Sequence, residues 1–238
     1  MMPAEPPFSV ELICFPYAGG GASLYRAWSR SLPAWITVRP VLLPGRESRF
    51  SEPALRSIDA MVDLALREVT PSSECFALFG YSMGALAAFE LARRLRAEGR
   101  PRPCHLLLAA LEAPLAAPVT SLARLPDAEF VQRLRELGTM PAEVLEEPEL
   151  LELFLPVLRA DFSAVADYEY VDQPPLRCPI TVYGGHHDPL TSDAGLRAWA
   201  RMTTGAFALR MLPGDHLFLT PSHLPLLALD VARTCGRS

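Results

Sequence analysis

An apolar run followed by a glycine-flanked serine occupies residues 75–93, CFALFGYSMGALAAFELAR. Residues 75–79 are typical of a buried strand, and residues 85–98 are typical of a helix. Between them, Gly80-Tyr81-Ser82-Met83-Gly84 fits the pattern G-x-S-x-G, in which a tight strand-to-helix turn exposes the serine hydroxyl. This context predicts that Ser82 is a nucleophile. It also predicts that free N–H groups at the helix start face a developing negative charge.

Similar apolar runs occur before and after this segment. Most of them are continuous rather than alternating, which is typical of strands covered on both faces. Helical patterns separate them, for example at residues 55–69 and 194–203. The sequence therefore predicts an α/β fold with a mostly parallel central sheet flanked by helices, in a single domain over residues 1–238. The predicted strands are residues 10–15, 36–43, 75–79, 105–110, 180–183 and 207–212.

The interval between the fourth and fifth predicted strands is longer than an ordinary crossover. It contains helical patterns at residues 127–137, 147–158 and 159–168, with prolines between them. Loops of this length usually carry function or structure of their own. We therefore interpret residues 115–175 as a helical lid inserted over one end of the sheet. The apolar residues 150–158 either line a chamber over the site or pack against the main domain.

A nucleophilic serine needs a base and a group that orients the base. Asp188 and His216 each follow one of the last two predicted strands. Because the carboxyl ends of parallel strands meet at one edge of a sheet, we predict that Ser82, Asp188 and His216 form a catalytic triad. Glu112 also follows a strand and is an alternative acid.

The other histidines and the second acid near His216 have simpler interpretations. We expect Asp215 to shape its loop and His223 to be a surface or helix-capping residue. His186 and His187 are adjacent, but no second cluster at ligand spacing accompanies them, so no metal site is predicted.

A glycine-rich loop, FPYAGGG at residues 15–21, follows the first predicted strand. Its glycines permit the main chain to approach a reacting carbonyl closely. We assign the two oxyanion donors to the backbone N–H groups of Met83 and Ala18, with Tyr17 as the alternative to Ala18. The spacing G-x-G-x-x-G is absent, so no dinucleotide cofactor is expected.

The composition excludes several classes of function. All 22 basic residues are arginine, which removes any mechanism that needs a lysine amine. The net charge of −5 argues against a general nucleic-acid binder. No apolar stretch reaches the ~18–20 residues of a membrane span, and the first residues lack the features of a signal peptide. The five scattered cysteines are interpreted as reduced thiols, including Cys104, and the protein as cytoplasmic.

Several stretches in order along the chain resemble the type II (stand-alone) thioesterases that accompany modular polyketide and nonribosomal peptide synthases. This resemblance implies an α/β-hydrolase fold with a mobile helical lid. It implies hydrolysis of acyl groups from the phosphopantetheine arm of an acyl or peptidyl carrier protein, and it gives the triad roles to Ser82, Asp188 and His216. The matching stretches are residues 15–20 (FPYAGG), 43–47 (LPGRE), 79–85 (FGYSMGA), 89–92 (FELA), 158–161 (LRAD), 184–189 (GGHHDP) and 214–219 (GDHLFL).

The chain also departs from the family pattern. Tyr81 stands where histidine is commoner beside the serine, and we predict that Tyr81 and Tyr17 contact the substrate. Glu112 lies where the family has small and basic residues, which places a negative charge near the expected mouth of the site.

Carrier proteins are generally acidic, and this chain is itself net negative. Docking would therefore need a local arginine patch, for which Arg46, Arg49 and Arg159 are the candidates. Three other functions remain open on the sequence: a medium-chain fatty acyl-carrier-protein hydrolase, a small-molecule esterase, and a hydrolase-fold binding protein without catalysis.

Overall fold

The computed structural model describes residues 9–69, 75–115, 122–139, 144 and 147–235. Its strands form one parallel sheet in the order β2-β1-β3-β4-β5-β6. The predicted α/β fold with a central parallel sheet is confirmed. The strands are β1 (Val10–Phe15), β2 (Ile36–Pro40), β3 (Phe76–Tyr81), β4 (His105–Ala109), β5 (Ile180–Gly185) and β6 (Phe207–Leu212).

Helices connect the strands and cover both faces of the sheet. The α-helices are α1 (Ser23–Arg26), α2 (Ile58–Glu68), α3 (Met83–Ala97), α4 (Asp127–Leu137), α5 (Pro148–Ala166), α6 (Asp193–Arg197) and α7 (Leu224–Cys235). Short 3-10 helices lie at Ala27–Arg30, Glu47–Arg49, Leu122–Arg124, Ala198–Met202 and Pro221–His223.

Two apolar clusters sandwich the sheet. The cluster on one face contains Met61 of α2 and Phe89 of α3, and the cluster on the other contains Trp28 and Leu227 of α7. The four central strands, β1, β3, β4 and β5, have every residue buried. This burial explains why their sequences are continuous apolar runs rather than alternating ones.

The order of the strands reverses next to β1, because β2 lies on one side of it and β3 on the other. Sites in open α/β sheets form at such a reversal, beyond the carboxyl ends of the strands. Two glycines permit the close packing there. A Cβ atom on Gly80 would lie 2.1 Å from the carbonyl oxygen of Gly84, and one on Gly84 would lie 2.2 Å from that of Phe15.

Some element boundaries differ from those predicted. Strand β2 ends at Pro40 rather than at residue 43. It lies at the edge of the sheet, where the proline is tolerated, and Val41 still donates to the carbonyl of Cys14 at 2.9 Å. The helices predicted at residues 147–158 and 159–168 are one helix, α5, with Pro156 inside it. The buried inner face of α5, which includes Leu158, Ala160 and Asp161, keeps the helix continuous through the proline.

Helices α4 and α5 share a small apolar cluster of their own, formed by Phe130, Val131, Leu134 and Leu158. The outer face of α5 leaves Leu150 and Leu153 41% and 46% exposed. None of the helices among the described residues combines the length and apolar character that a membrane span requires.

One expectation about the cysteines is wrong. Cys104 is disulfide-bonded, whereas Cys14 and Cys178 are free thiols. An odd number of cysteines in apolar surroundings carries no information about which thiols meet in the folded chain.

Candidate active site

Ser82 lies in the turn between β3 and α3 with φ 51° and ψ −117°. A residue with a side chain is strained at positive φ, and such strain persists only where the surrounding structure holds it. The N–H of Ser82 donates to the carbonyl of Ala109 at 2.8 Å, and its carbonyl accepts from the N–H of Ala85 at 2.8 Å. The predicted strand–turn–helix geometry around the serine is therefore present.

The structure brings the three predicted triad residues together. Nε2 of His216 lies 3.1 Å from Oγ of Ser82, and Nδ1 of His216 lies 3.0 and 3.1 Å from the two carboxylate oxygens of Asp188. The side chains of His216 and Asp188 are 3% and 0% exposed. This arrangement suits removal of the serine proton by an imidazole that the carboxylate orients.

Asp188 is itself held by the residues that follow it. Its carboxylate accepts the N–H of Leu190 at 2.9 Å and the hydroxyl of Thr191 at 3.2 Å. These bonds compensate the burial of the carboxylate and fix its orientation toward His216.

The alternative acid, Glu112, is used elsewhere. Its Oε1 accepts the N–H of Ser192 at 2.7 Å and the hydroxyl of Ser192 at 2.8 Å. Ser192 is the N-cap of α6, where its own hydroxyl accepts from Gly195. Glu112 therefore supports the start of a helix, while Asp188 is the carboxylate that meets His216.

The expected structural roles of two other residues are confirmed. Asp215 accepts the N–H of Leu217 at 3.3 Å and so shapes the loop that carries His216. His223 completes a capping box at a short 3-10 helix, where its Nδ1 accepts the N–H of the N-cap residue Thr220.

Tyr81, which was predicted to contact the substrate, has a different environment. It is 3% exposed, and its hydroxyl donates to the main-chain carbonyl of His216 at 2.8 Å. Burial raises its pKa, so the hydroxyl stays protonated and remains a donor. Successive side chains of a strand point to opposite faces, so a position next to Ser82 in sequence does not place a side chain beside the substrate.

Tyr17 is partly exposed, and its ring lies edge-on to that of Tyr81 with centroids 5.8 Å apart. Its contact with the substrate stays a prediction. The ring of Tyr81 also packs on Phe218, two residues after His216. Tyr81 thus connects the glycine-rich loop to the loop that carries the base.

One predicted oxyanion donor, Met83, lies at the start of α3, and the other, Ala18, lies in the glycine-rich loop. Met83 is the first residue of α3, so its N–H has no acceptor in a preceding helical turn. In the glycine-rich loop, the N–H of Gly20 donates to Tyr17 at 2.8 Å and the N–H of Gly19 donates to Asp161 at 2.7 Å. Gly19 and Gly20 are therefore committed, and Ala18 and Tyr17 remain the candidates for the second donor.

Arg46, predicted to be a surface residue for carrier docking, is buried. Its side chain is 2% exposed and that of Asp161 is 0% exposed, and the two form two parallel hydrogen bonds of 2.9 Å each. Burial raises the pKa of Asp161, and Arg46 acts against that rise. The signal available in the sequence is that the motifs LPGRE and LRAD each contain charged residues, but the fold decides that Arg46 pairs with Asp161.

The other two docking candidates are also engaged within the chain. Arg49 forms ion pairs with Glu52 and Glu68. Arg159 pairs with Asp127, donates to two carbonyls and lies over the ring of Phe130. Both pairs lie at the surface, so a role of Arg49 or Arg159 in carrier docking stays a prediction.

Comparison with known proteins agrees with this geometry. Residues 10–235 match the family described as thioesterase domain. LgrE of Brevibacillus parabrevis, named linear gramicidin dehydrogenase, is 43% identical over 225 residues, which cover 92% of this chain and 86% of LgrE.

Two solved structures are similar over nearly the whole chain. RedJ, a thioesterase from the prodiginine pathway of Streptomyces coelicolor, is 36% identical with a TM-score of 0.85, over 98% of this chain and 90% of RedJ. YbtT, a type II thioesterase from the yersiniabactin NRPS/PKS pathway, is 30% identical with a TM-score of 0.79, over 98% and 96% of the two chains. The chain belongs to the thioesterase family of α/β-hydrolase fold, as a type II thioesterase of nonribosomal peptide and polyketide biosynthesis.

Proposed function

We propose that the chain is a serine thioesterase that hydrolyses acyl groups from the phosphopantetheine arm of acyl or peptidyl carrier proteins. In this proposal Ser82 is the nucleophile, His216 is the general base and acid, and Asp188 orients His216. The observation that carries it is the continuous line of hydrogen bonds from Ser82 Oγ through His216 to Asp188, at a serine in strained geometry.

The first half of the reaction transfers the acyl group to the enzyme. Nε2 of His216 takes the Ser82 proton as Oγ attacks the thioester carbonyl carbon. The N–H groups of Met83 and Ala18 bind the resulting oxyanion, an interaction whose loss costs roughly 10²–10³ in rate at comparable sites. The C–S bond then breaks, and the thiol leaves with the proton that His216 returns.

The second half releases the acid. His216 takes a proton from a water molecule, and the oxygen of that water attacks the carbonyl carbon of the acyl-serine. When the bond to Oγ breaks, Ser82 recovers its proton from His216 and the carboxylic acid departs. Thiol and acid are thus formed from thioester and water, with no other reactant.

The substrate proposal rests on the relatives. YbtT belongs to a pathway in which intermediates are built by NRPS and PKS enzymes, and RedJ to a pathway for prodiginines. In such a pathway this chain removes acyl units that block a carrier protein. Arg46 is buried in an ion pair and does not reach a docked carrier, so Arg49 and Arg159 are the remaining candidates of the three.

We also propose that residues 115–175 act as a lid. Within the described part of this segment, α4 and α5 pack on each other through a small separate cluster, while Leu150 and Leu153 of α5 are exposed. An apolar surface of this kind suits contact with an acyl chain. The C-terminal half of α5 is anchored to the sheet side by the pair of Asp161 with Arg46.

The experiment that tests the function is mass spectrometry of carrier proteins loaded with a panel of acyl groups. The enzyme is expected to convert acyl-carrier to free carrier thiol, and Ser82→Ala is expected not to. The same acyl groups on a small thiol measure what the carrier contributes. Equal efficiency on both forms contradicts carrier recognition, and faster cleavage of oxyesters than of thioesters contradicts the reaction class.

A further inference from the structure

A buried ion pair with no part in the triad lies beneath the glycine-rich loop. Arg46 follows β2, Asp161 lies in α5, and their side chains form a bidentate pair out of contact with solvent. Replacing both members of such a pair by apolar residues is often neutral or stabilising, because each charge loses its hydration on burial. Stability alone is therefore a weak explanation for this pair.

The pair is bonded to the main chain of the loop rather than to side chains. Oδ2 of Asp161 accepts the N–H of Gly19 at 2.7 Å, and Nη1 of Arg46 donates to the carbonyl of Gly20 at 3.0 Å. Both contacts fall on the residues directly after Ala18. Gly19 has φ 78°, a conformation that glycine adopts without strain.

The residue after Arg46 holds the far side of the same loop. Oε1 of Glu47 accepts the N–H of Ser23 at 2.7 Å, and a Cβ atom on Gly21 would lie 2.2 Å from this oxygen. The loop is thus fixed at Gly19 and Gly20 by one charged pair and at Ser23 by a carboxylate that packs against Gly21. Directional bonds of this kind set the orientation of peptide groups, which apolar packing does not.

We propose that Asp161 and Arg46 are positioning residues that hold the glycine-rich loop so that the N–H of Ala18 faces the oxyanion. This inference rests on the proposed function, because it assigns these residues to the second oxyanion donor. Asp161 acts through Gly19, whose N–H it occupies, and Arg46 acts through the carbonyl of Gly20. Neither side chain contacts the reacting atoms.

Two variants separate positioning from folding. Asp161→Glu keeps the charge but displaces the carboxylate by one methylene group. The double variant Arg46→Met/Asp161→Val removes both charges and leaves neither unpaired in the interior. Arg94→Gln is the matched control, because Arg94 is a partly exposed arginine of α3 that pairs with Asp63 of α2 rather than with the loop.

The readouts are the melting temperature, kcat and KM on one acyl thioester, and the affinity of a trifluoromethyl ketone that carries the same acyl chain. Such a ketone forms a tetrahedral oxyanion with the serine and so reports on the donors directly. We expect both Asp161→Glu and the double variant to fold. In each, kcat is expected to be at least ~10-fold lower and KM to stay within ~3-fold of the parent value. The affinity for the ketone is expected to fall in parallel with kcat. Arg94→Gln is expected to match the parent enzyme.

Either folded variant with kcat within ~2-fold of the parent overturns the proposal, as does a loss confined to KM. Failure of both variants to fold also overturns it, since the pair would then be a requirement for folding. If instead Ser82→Ala remains active, the proposed function fails, and that result is distinct from any result with the Asp161 and Arg46 variants.

Discussion

At the residue scale, two hydrogen bonds fix His216, one to its ring and one to its main chain. Asp188 binds Nδ1 of the ring, and the hydroxyl of Tyr81 binds the main-chain carbonyl. The imidazole therefore has a fixed position and a fixed direction toward Ser82. Catalytic groups lose much of their effect when they are displaced by about 1 Å, so each of these bonds has a consequence for the rate.

The bond from Tyr81 leads to a prediction about rate. Tyr81→Phe removes only the hydroxyl and leaves the carbonyl of His216 without this donor. We expect kcat to fall about tenfold with KM unchanged, and the free energy of unfolding to fall by about 1–3 kcal/mol. Steady-state kinetics and urea unfolding measure the two effects.

Tyr183→Phe is the matched control for Tyr81→Phe. Tyr183 is also a buried strand tyrosine, but its hydroxyl donates to Asp230. It is expected to lose similar stability and to keep its kcat. The same kcat in both variants would contradict a role of Tyr81 in placing the base.

The identity of the acid is tested by two substitutions of the same chemical type. Asp188→Asn keeps the shape of the side chain but no longer holds the imidazole in the required tautomer, and we expect kcat to fall roughly 10⁴-fold. Glu112→Gln weakens only the support of α6, and we expect at most about 1 kcal/mol of lost stability with kcat unchanged. A larger loss of kcat in Glu112→Gln than in Asp188→Asn would reverse the assignment.

The site depends, at the scale of elements, on how closely α3 approaches the end of β1. Gly84 lies in the first turn of α3 against the carbonyl of Phe15, and this contact brings Met83 and the glycine-rich loop to the same side of Ser82. We therefore expect a helix–strand contact to set the distance between the two proposed oxyanion donors.

Gly84→Ala tests that contact. Because the new Cβ atom would lie 2.2 Å from a main-chain oxygen, α3 must move away from β1. We expect about 1–3 kcal/mol of lost stability and a fall in kcat of at least ~10-fold. In the control Gly99→Ala, the new Cβ meets nothing within 4 Å and φ is 64°, so only the strain of about 1–2 kcal/mol is expected. Equal kcat values for the two variants would contradict a role of the contact between Gly84 and β1 in catalysis.

The helix α5 is an element whose sequence pattern does not predict its extent. The periodicity of residues 147–168 indicates helix throughout, but Pro156 suggests a break that does not occur in α5. A proline removes one hydrogen bond of the helix, and here the buried inner face and the pair of Asp161 with Arg46 compensate that loss. The partners of Asp161 come from the loops after β1 and β2, and Arg46 is 115 residues away from Asp161 in the sequence, so no local pattern contains these contacts.

The parallel sheet, the order of the triad residues and the turn at Ser82 follow from local patterns, because apolar runs and glycine positions specify them. The environment of Tyr81, the burial of Arg46 and the disulfide of Cys104 do not follow, because each depends on which distant segments meet. The composition establishes the net charge, but it does not show which arginines form ion pairs within the fold.

At the scale of the whole molecule, a buried histidine of β4 is bonded to side chains of β5 and α7. His105 of β4 lies 2.9 Å from the hydroxyl of Thr181 in β5 and 2.8 Å from that of Thr234 in α7. Burial lowers the pKa of His105 from 6.5 to about 4. The folded protein therefore binds this proton less readily than the unfolded chain does.

The sign of the resulting pH dependence follows from that shift. The stabilising contribution is complete above pH 6.5 and is lost as the pH falls from 6.5 toward 4, by at most about 1.4 kcal/mol per pH unit. We expect a shallower loss of stability over this range in His105→Gln, measured by urea unfolding at several pH values. His186→Gln, at an exposed histidine, should keep the slope of the parent protein. Identical slopes for the parent and His105→Gln would contradict this prediction.

The central claim is that Ser82 forms the covalent acyl intermediate, and the most direct measurement is the intact mass of the protein after reaction with a fluorophosphonate, followed by peptide mapping. We expect one adduct, on the peptide that carries Ser82. Ser82→Ala is expected to gain no adduct and not to hydrolyse acyl-carrier thioesters. An adduct on another residue, or hydrolysis by Ser82→Ala at the rate of the parent enzyme, would contradict this claim.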